Sequence, residues 1–274
     1  MRRRSPGLLV GIVVAAGALA TAASAADLPV PAAPAYVPPV YRPVVYDWTG
    51  IYGGVHLGVG ALDDQVTTLT TTALQPAGTA TRLSPFSLVS GAQAGFNVEF
   101  APFVVGAEGT FTWSNISGTQ VTTSLLPTIS ENSISTPRWY ATATGKIGFA
   151  ANDFLFYAKG GAALMNVRYT QQVAAGGIQS AQTLVDNRSG FTVGGGIEFG
   201  MTENLSARVE YDFLDFGTKT YNFNNLAFNA AGSTGTPATP LGPFPVSIKS
   251  FTHLLTVGLN YRFNWGGGGA YVTK

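Results

Sequence analysis

Nine ionisable residues stand at alternate positions inside otherwise apolar or small-residue segments: Glu99, Glu108, Glu198, Glu210 and Asp212 against Lys146, Lys159, Arg208 and Arg262. Glu210-x-Asp212 has the composition of a glycosidase acid/base pair. Residues i and i+2 of an extended chain share one wall, however, and glycoside hydrolysis needs carboxylates on opposite sides of a sugar. Ser250 near His253 supplies a nucleophile and a base, but no Ser-His-Asp arrangement can be assembled around them, and the other histidine, His56, is set in a wall of glycines. Gly194-Gly195-Gly196 lies within an alternating segment with no helix after it, so it is not a phosphate-binding loop, and neither HExxH nor a P-loop pattern occurs. The chain has no Cys, which removes disulfides, thiolate metal sites and cysteine nucleophiles. No catalytic residue, metal site or cofactor site is assigned, and no enzyme is expected. Near-balanced charges on a common face read instead as an ion-pair plug inside a narrow structure, with a polar pore as the competing reading.

Composition says what that structure stands in. Charged residues make up 11% of the 274 residues and hydrophobic ones 46%. Ordinary soluble domains carry about 25% charged residues, so something other than water covers part of this surface. Fifteen Lys+Arg against 14 Asp+Glu, with no basic cluster beyond Arg2 to Arg4, argues against a nucleic-acid partner. Arg2, Arg3 and Arg4, the apolar run Leu8 to Ala20 and Ala23-Ser24-Ala25 form a secretory signal peptide, with cleavage expected after Ala25. Removal of three arginines leaves 12 bases and 14 acids, a net charge of −2. Pro29, Pro31, Pro34, Pro38, Pro39 and Pro43 make residues 26–48 an extended linker.

From Thr49 the period is two. Eight alternating segments are counted, at 49–60, 86–100, 103–114, 138–149, 154–169, 189–199, 204–216 and 251–263. In 103–114, Phe103, Val105, Ala107, Gly109, Phe111 and Trp113 share one face, while Glu108, Thr110, Thr112 and Ser114 share the other. The segments exceed the usual globular strand and suit tilted strands crossing hydrocarbon. The intervals between them alternate long and short: 61–85, 101–102, 115–137, 150–153, 170–188, 200–203 and 217–250. Tight turns at one end and long loops at the other are the pattern of a transmembrane barrel. The expected fold is therefore all-β, an eight-stranded antiparallel up-and-down transmembrane barrel over 49–263 with four long extracellular loops and a Gly-rich tail at 264–274. Closure of the first strand on the last follows because lipid offers no partner to a bare sheet edge.

This topology fixes depth. Phe100, Phe103, Phe149, Phe154, Phe199, Tyr261 and Phe263 fall at the periplasmic rim, and Trp113, Trp139, Tyr169, Phe216 and Phe251 at the outer rim, as two aromatic girdles. The nine charges fall on the inward parity.

Several stretches resemble the porin-like outer-membrane β-barrel family of alphaproteobacteria, small surface-antigen proteins akin to the OmpA transmembrane domain. They are Asp47-Trp48-Thr49-Gly50-Ile51-Tyr52-Gly53-Gly54 after Ala26 to Pro29, Gly106-Ala107-Glu108-Gly109, Tyr157 to Ala162, Gly194 to Glu198, Arg208-Val209-Glu210-Tyr211 and Gly258 to Phe263. The resemblance implies residence in the outer membrane among lipid and lipopolysaccharide, with periplasmic chaperones and the barrel assembly machinery as biogenesis partners. That machinery would read a last-strand signal, here Tyr261-x-Phe263, followed by 11 further residues. Members are variously structural, porin-like or haem-binding. The primary expectation is a structural barrel serving envelope integrity and surface display, including the Thr-rich loop 66–81. The alternatives are a narrow channel for small solutes, or surface capture of haem or a host molecule.

Overall fold

The computed structural model describes residues 46–263 apart from 72–74, 124–128, 176–177, 225–226, 229–238 and 241–243; the expected signal peptide, most of the linker and the tail lie outside the described residues. Twelve strands are present among them: β1 (Gly50–Thr68), β2 (Ala80–Leu83), β3 (Phe86–Phe100), β4 (Phe103–Ser114), β5 (Gly118–Thr123), β6 (Ile129–Ala151), β7 (Phe154–Ala175), β8 (Ile178–Gly200), β9 (Leu205–Phe223), β10 (Ala227–Phe228), β11 (Thr239–Pro240) and β12 (Phe244–Phe263). Eight of them, β1, β3, β4, β6, β7, β8, β9 and β12, pair in that order with antiparallel neighbours, and β12 returns to β1 from Ile51↔Phe263 to Thr68↔Val246. Each ring strand grows from one of the eight alternating segments. Closure gives each ring strand a partner on both sides through the apolar belt, which is the condition for a sheet in lipid. β2 and β5 are short additions beside β1 and β6.

The strands run further than the lipid-crossing pattern indicated. β6, β7 and β8 span 23, 22 and 23 residues. Most of 115–137 and nearly all of 170–188 is strand, and β7 stays paired with β8 to Ala175↔Ile178, so the expected third long loop is for the most part paired strand. The reason is a change of solvent along one strand. Within the belt, apolar side chains point out, as with exposed Leu164, Phe191 and Leu255. Beyond it they point in: Val167, Val173, Tyr221, Phe223, Val246 and Ile248 are buried and join Leu62, Val89, Ile116, Tyr140, Met165, Leu214 and Leu254 in one internal cluster. The period of two continues while its apolar phase changes face.

Two irregularities reset that phase. A register shift in β6 falls between Pro137 and Trp139; proline lacks the N–H a ladder requires, and a bulge accommodates it. Tyr140, Thr144 and Lys146 point inward on one side of it, Ser135 and Glu131 on the other. Arg138, inward by simple alternation, is consequently exposed. A second shift lies where Lys249 and Phe251 of β12 face β9, and there Gly217 has φ 65°, the left-handed conformation that glycine adopts without a Cβ penalty.

At the short-turn end, Tyr46 and Trp48 do not belong to an extended linker. Both are buried, packed with Val104, Leu155 and Tyr157, and the Trp48 N–H donates to Glu99 Oε2 at 2.9 Å. Two bulky aromatics directly before the first strand gain more by filling the mouth of the ring than by staying in water.

Candidate functional site: the barrel interior

The inner wall is stratified. Next to the aromatic cap of the turn end lies a charge cluster built from five strands, β4, β6, β7, β8 and β9. The Lys159 ammonium is 2.7 Å from Glu210 Oε1, 3.2 Å from Asp212 Oδ2 and 3.3 Å from Glu108 Oε1. The Arg208 guanidinium is 2.6 Å from Glu108 Oε2 and 3.4 Å from Glu210 Oε2. Lys146 is 3.6 Å from Glu108 and 3.9 Å from Glu198, with its ammonium 4.4 Å from the centre of the Tyr157 ring. Tyr52 donates to Glu108 Oε2 at 2.8 Å and Tyr157 to Glu210 Oε2 at 2.7 Å. These side chains are at most 10% exposed, so each charge depends on the others for its solvation. Seven of the nine sequence-identified charges thus meet. Glu99 stays at the rim as the acceptor for Trp48, and Arg262 lies 4.4 Å from the centre of the Tyr46 ring, donating to the Glu203 carbonyl.

Toward the loop end comes a neutral polar layer. His56 bridges Gln93 Oε1 at 2.6 Å and Thr112 Oγ1 at 3.0 Å, and Gln93 donates to Asn260 Oδ1 at 2.7 Å. The apolar cluster around Tyr140, Met165, Leu214 and Leu254 follows and fills the ring. Each fully buried side chain of this size stabilises by about 1.5–3 kcal/mol. The expectation of a polar lumen therefore holds for the turn-end half only.

A second polar group caps this core. Arg188 donates from Nη1 to Tyr169 Oη and Ser250 Oγ at 3.0 and 2.9 Å, and from Nη2 to the carbonyls of Phe216, Gly217 and Ile248 at 3.0, 2.7 and 3.2 Å. It ties down the backbone at the β9 bulge. Ser135 donates to Asp64 Oδ2 at 2.6 Å, while Glu131 accepts from Gln75 at 2.9 Å and from Gln171. Asp64, Glu131 and Arg188 are absent from the nine charges read from sequence. Asp64 shares parity with Tyr52 and His56, and Arg188 with Glu198, so continuing the alternation would have found both. Glu131 is hidden by the bulge.

The same parity corrects the outer girdle. Tyr169 is buried and contacts Arg188, because it shares the inward face of β7 with Lys159; Phe216 is buried on the face of Arg208 and Glu210. Phe100, Phe103, Trp113, Phe149, Phe154, Phe199, Tyr261 and Phe263 are exposed on the outer wall, and Trp139 and Phe251 are half-buried. Ser250 is fully buried, whereas His253 takes the opposite parity and meets the Tyr211 hydroxyl at 2.8 Å, so these two residues do not form a nucleophile–base pair. Glu210 and Asp212 both face Lys159, leaving no space for a sugar between them.

Glu131 lies well beyond the apolar belt, and burial pushes its carboxyl up to about 7, partly offset by the Gln171 and Gln75 amides. A raised folded-state pKa contributes stability that is fully present below the unfolded value, about 4.5, and is lost as pH rises through about 7. Protection factors for hydrogen exchange in β5 and the adjoining ends of β6 and β7, taken against the intrinsic amide rate at each pH, should therefore be higher at pH 5 than at pH 8, by up to about a hundredfold. Glu131→Gln should abolish that difference; an unchanged pH profile in the variant would refute the assignment.

A family model described as an outer membrane protein beta-barrel domain matches residues 12–233. The 31 kDa outer-membrane immunogenic protein of Brucella melitensis is 26% identical over 266 residues, covering 90% of this chain and 96% of the relative. The 25 kDa outer-membrane immunogenic protein of Brucella abortus is 27% identical over 233 residues, covering 82% and 86%. Among solved structures, the outer membrane protein OprG from Pseudomonas aeruginosa aligns with TM-score 0.46 at 11% identity, over 80% of this chain and 99% of that one.

Proposed function

This chain belongs to the outer membrane protein β-barrel family and resides in the outer membrane, and from that premise we propose that it is a structural, surface-displaying barrel rather than a channel or an enzyme. The observation that carries the reading is the filled interior. A charge cluster whose members are all paired, a neutral polar layer and an apolar core are stacked in series across the lumen. A conducting path would need water through all three, and a ring of eight strands is just wide enough to be filled by its own side chains.

The short-turn end faces the periplasm and the extended strand ends face outward. That orientation puts Tyr261 and Phe263 at the periplasmic end of β12, exposed to lipid, where the barrel assembly machinery would read them after chaperone-assisted transit and signal cleavage following Ala25. The long β6–β7–β8 extensions carry the surface role, in keeping with relatives whose names mark them as immunogenic.

The test is conductance. Purified full-length protein, verified as folded by heat-modifiable gel mobility, should give no discrete steps in planar bilayers even at high load. Deleting the gene should sensitise cells to detergent or weaken surface adhesion. Reproducible steps that Lys159→Glu alters would overturn the proposal in favour of a channel.

A further inference from the structure

Beyond the apolar belt the ring is not continuous. β8 and β9 are paired from Gly200↔Ser206 only as far as Phe191↔Asp215, although both strands run on, and β3 and β4 reach no further than Phe86 and Ser114. In place of β3 and β4, β2 pairs with β1 from Asp64↔Leu83 to Thr67↔Ala80, and β5 pairs with β6 from Gly118↔Ser135 to Thr123↔Ser130. The outer part is therefore two four-stranded sheets, β5-β6-β7-β8 and β9-β12-β1-β2, packed around the apolar cluster and parted by two seams.

The seams differ. Asp186 of β8 accepts from Lys219 and Tyr221 of β9 at 2.7 and 2.6 Å, and Arg188 donates to the Phe216 and Gly217 carbonyls, so side chains staple that seam. Among the described residues no ladder, hydrogen bond or ion pair joins β2 to β5. Pro85 packs on Gly118, where an added Cβ would stand 2.5 Å from Pro85 Cγ, and this contact marks the end of the seam nearest the belt. Further out, Gln120 has the inward parity of buried Gly118 and is nonetheless exposed. A strand paired on one side only presents the N–H and C=O groups of alternate residues on the other, a template for a further strand. Such edges are commonly blunted by shortness, charge or proline. β2 has all three, with four residues, Arg82 among them and Pro85 close behind. β5, Gly118-Thr119-Gln120-Val121-Thr122-Thr123, has neither charge nor proline, and Val121 is 60% exposed.

We propose that the free edge of β5 binds an extended peptide segment of another protein by strand addition, antiparallel to β5 and continuing its sheet. The edge dictates the chemistry of its occupant. Main-chain groups supply the affinity, while exposed Thr119 and Val121 favour uncharged, β-branched side chains opposite them. A second copy does not fit. Two copies in one membrane both run β5 outward and would meet edge to edge in parallel, whereas β5 pairs with β6, like the other strands of this sheet, in the antiparallel sense. The position of this edge outside the cell rests on the orientation proposed for the barrel; its capacity to pair does not.

The experiment uses the full chain folded in neutral detergent, titrated with the capped octapeptide Lys-Thr-Val-Thr-Val-Thr-Val-Glu and, separately, with the same peptide carrying proline for each valine. Wild type should bind the first at least about tenfold more tightly, and isotope-labelled peptide carbonyls should move to the β-sheet infrared position on binding. Thr119→Lys/Val121→Lys should weaken that binding by about tenfold. Thr183→Lys, on β8 three strands away, should leave it within about twofold. Equal binding of the two peptides, an unmoved carbonyl band or undiminished binding by the double variant overturns the site. If the double variant does not fold, Val121→Lys alone is judged by the same criteria. Self-association of wild type that the edge variant abolishes would assign the edge to a second copy and likewise overturn the proposal. Labelling of Val121→Cys on intact cells with an impermeant maleimide tests the orientation separately: labelling only after lysis fails the surface reading and leaves the peptide titration to judge the edge.

Discussion

Glu108→Ala should destabilise the barrel by about 3–5 kcal/mol, because one carboxylate serves three buried cations and removing it leaves charge without compensation. Lys159 would keep Glu210 and Asp212, and Arg208 would keep Glu210 at 3.4 Å, but Lys146 would retain only Glu198 at 3.9 Å. The Tyr52 hydroxyl would lose its acceptor as well. The measurement is the urea midpoint of detergent-folded protein, followed by loss of the fast-migrating gel form. Glu108→Gln keeps an oxygen for Tyr52 and Arg208 while removing the charge, so it should fall between the two. Glu108→Ala/Lys146→Met removes the most dependent cation together with its anion and should recover part of the loss, since a buried pair replaced by apolar groups is often neutral. A wild-type midpoint for Glu108→Ala would show that water, not the neighbouring side chains, solvates these charges.

Gly161→Val should prevent most of the protein from reaching the folded form. A Cβ at this position would stand 2.0 Å from the Ala143 carbonyl oxygen and 2.8 Å from Thr144 Cα. Both obstacles are backbone on β6, where Thr144 is the register partner of Gly161, so no side-chain rotation relieves the contact. Parting the strands would break the ladder within the belt, where lipid cannot repair a lost backbone hydrogen bond. The cost is expected at about 3 kcal/mol or more, read as a several-fold drop in heat-modifiable protein after refolding. The adjacent glycine is the control. At Gly160 the nearest atoms to an added Cβ are Thr192 O at 3.6 Å and Val193 Cγ1 at 3.8 Å, ordinary contacts, so Gly160→Val should fold as well as wild type. Equal refolding yields for the two variants would count against the strand approach described.

Alternation of apolar and polar residues, with short and long intervals in turn, was enough to place all eight ring strands. It also assigned Glu108, Lys146, Lys159, Glu198, Arg208, Glu210 and Asp212 to the inner wall. In that zone hydrocarbon surrounds the protein, so the outward face must be apolar and the pattern carries maximal contrast. Beyond the belt, water surrounds the same strands, apolar residues move inside, and stretches such as 170–188 read as loop because their outward face is polar. Tyr169 and Phe216 share the inward parity of Lys159 and Arg208, so they line the interior and not the outer girdle expected of aromatics at that depth.

What the chain determined by itself is local: which residues alternate, where chain reversals fall, and that the ring must close. Tertiary structure decided what a period of two cannot express. A bulge at Pro137/Trp139 and another at Gly217 each insert a single residue, and a single residue exchanges inside for outside from that point on. They turn Arg138 to the surface, bring Glu131 inside and give Arg188 its backbone carbonyls. The choice of partner for each buried charge is likewise made across strands up to a hundred residues apart, as with Arg208 and Glu108, by the closed ring that brings their tips together.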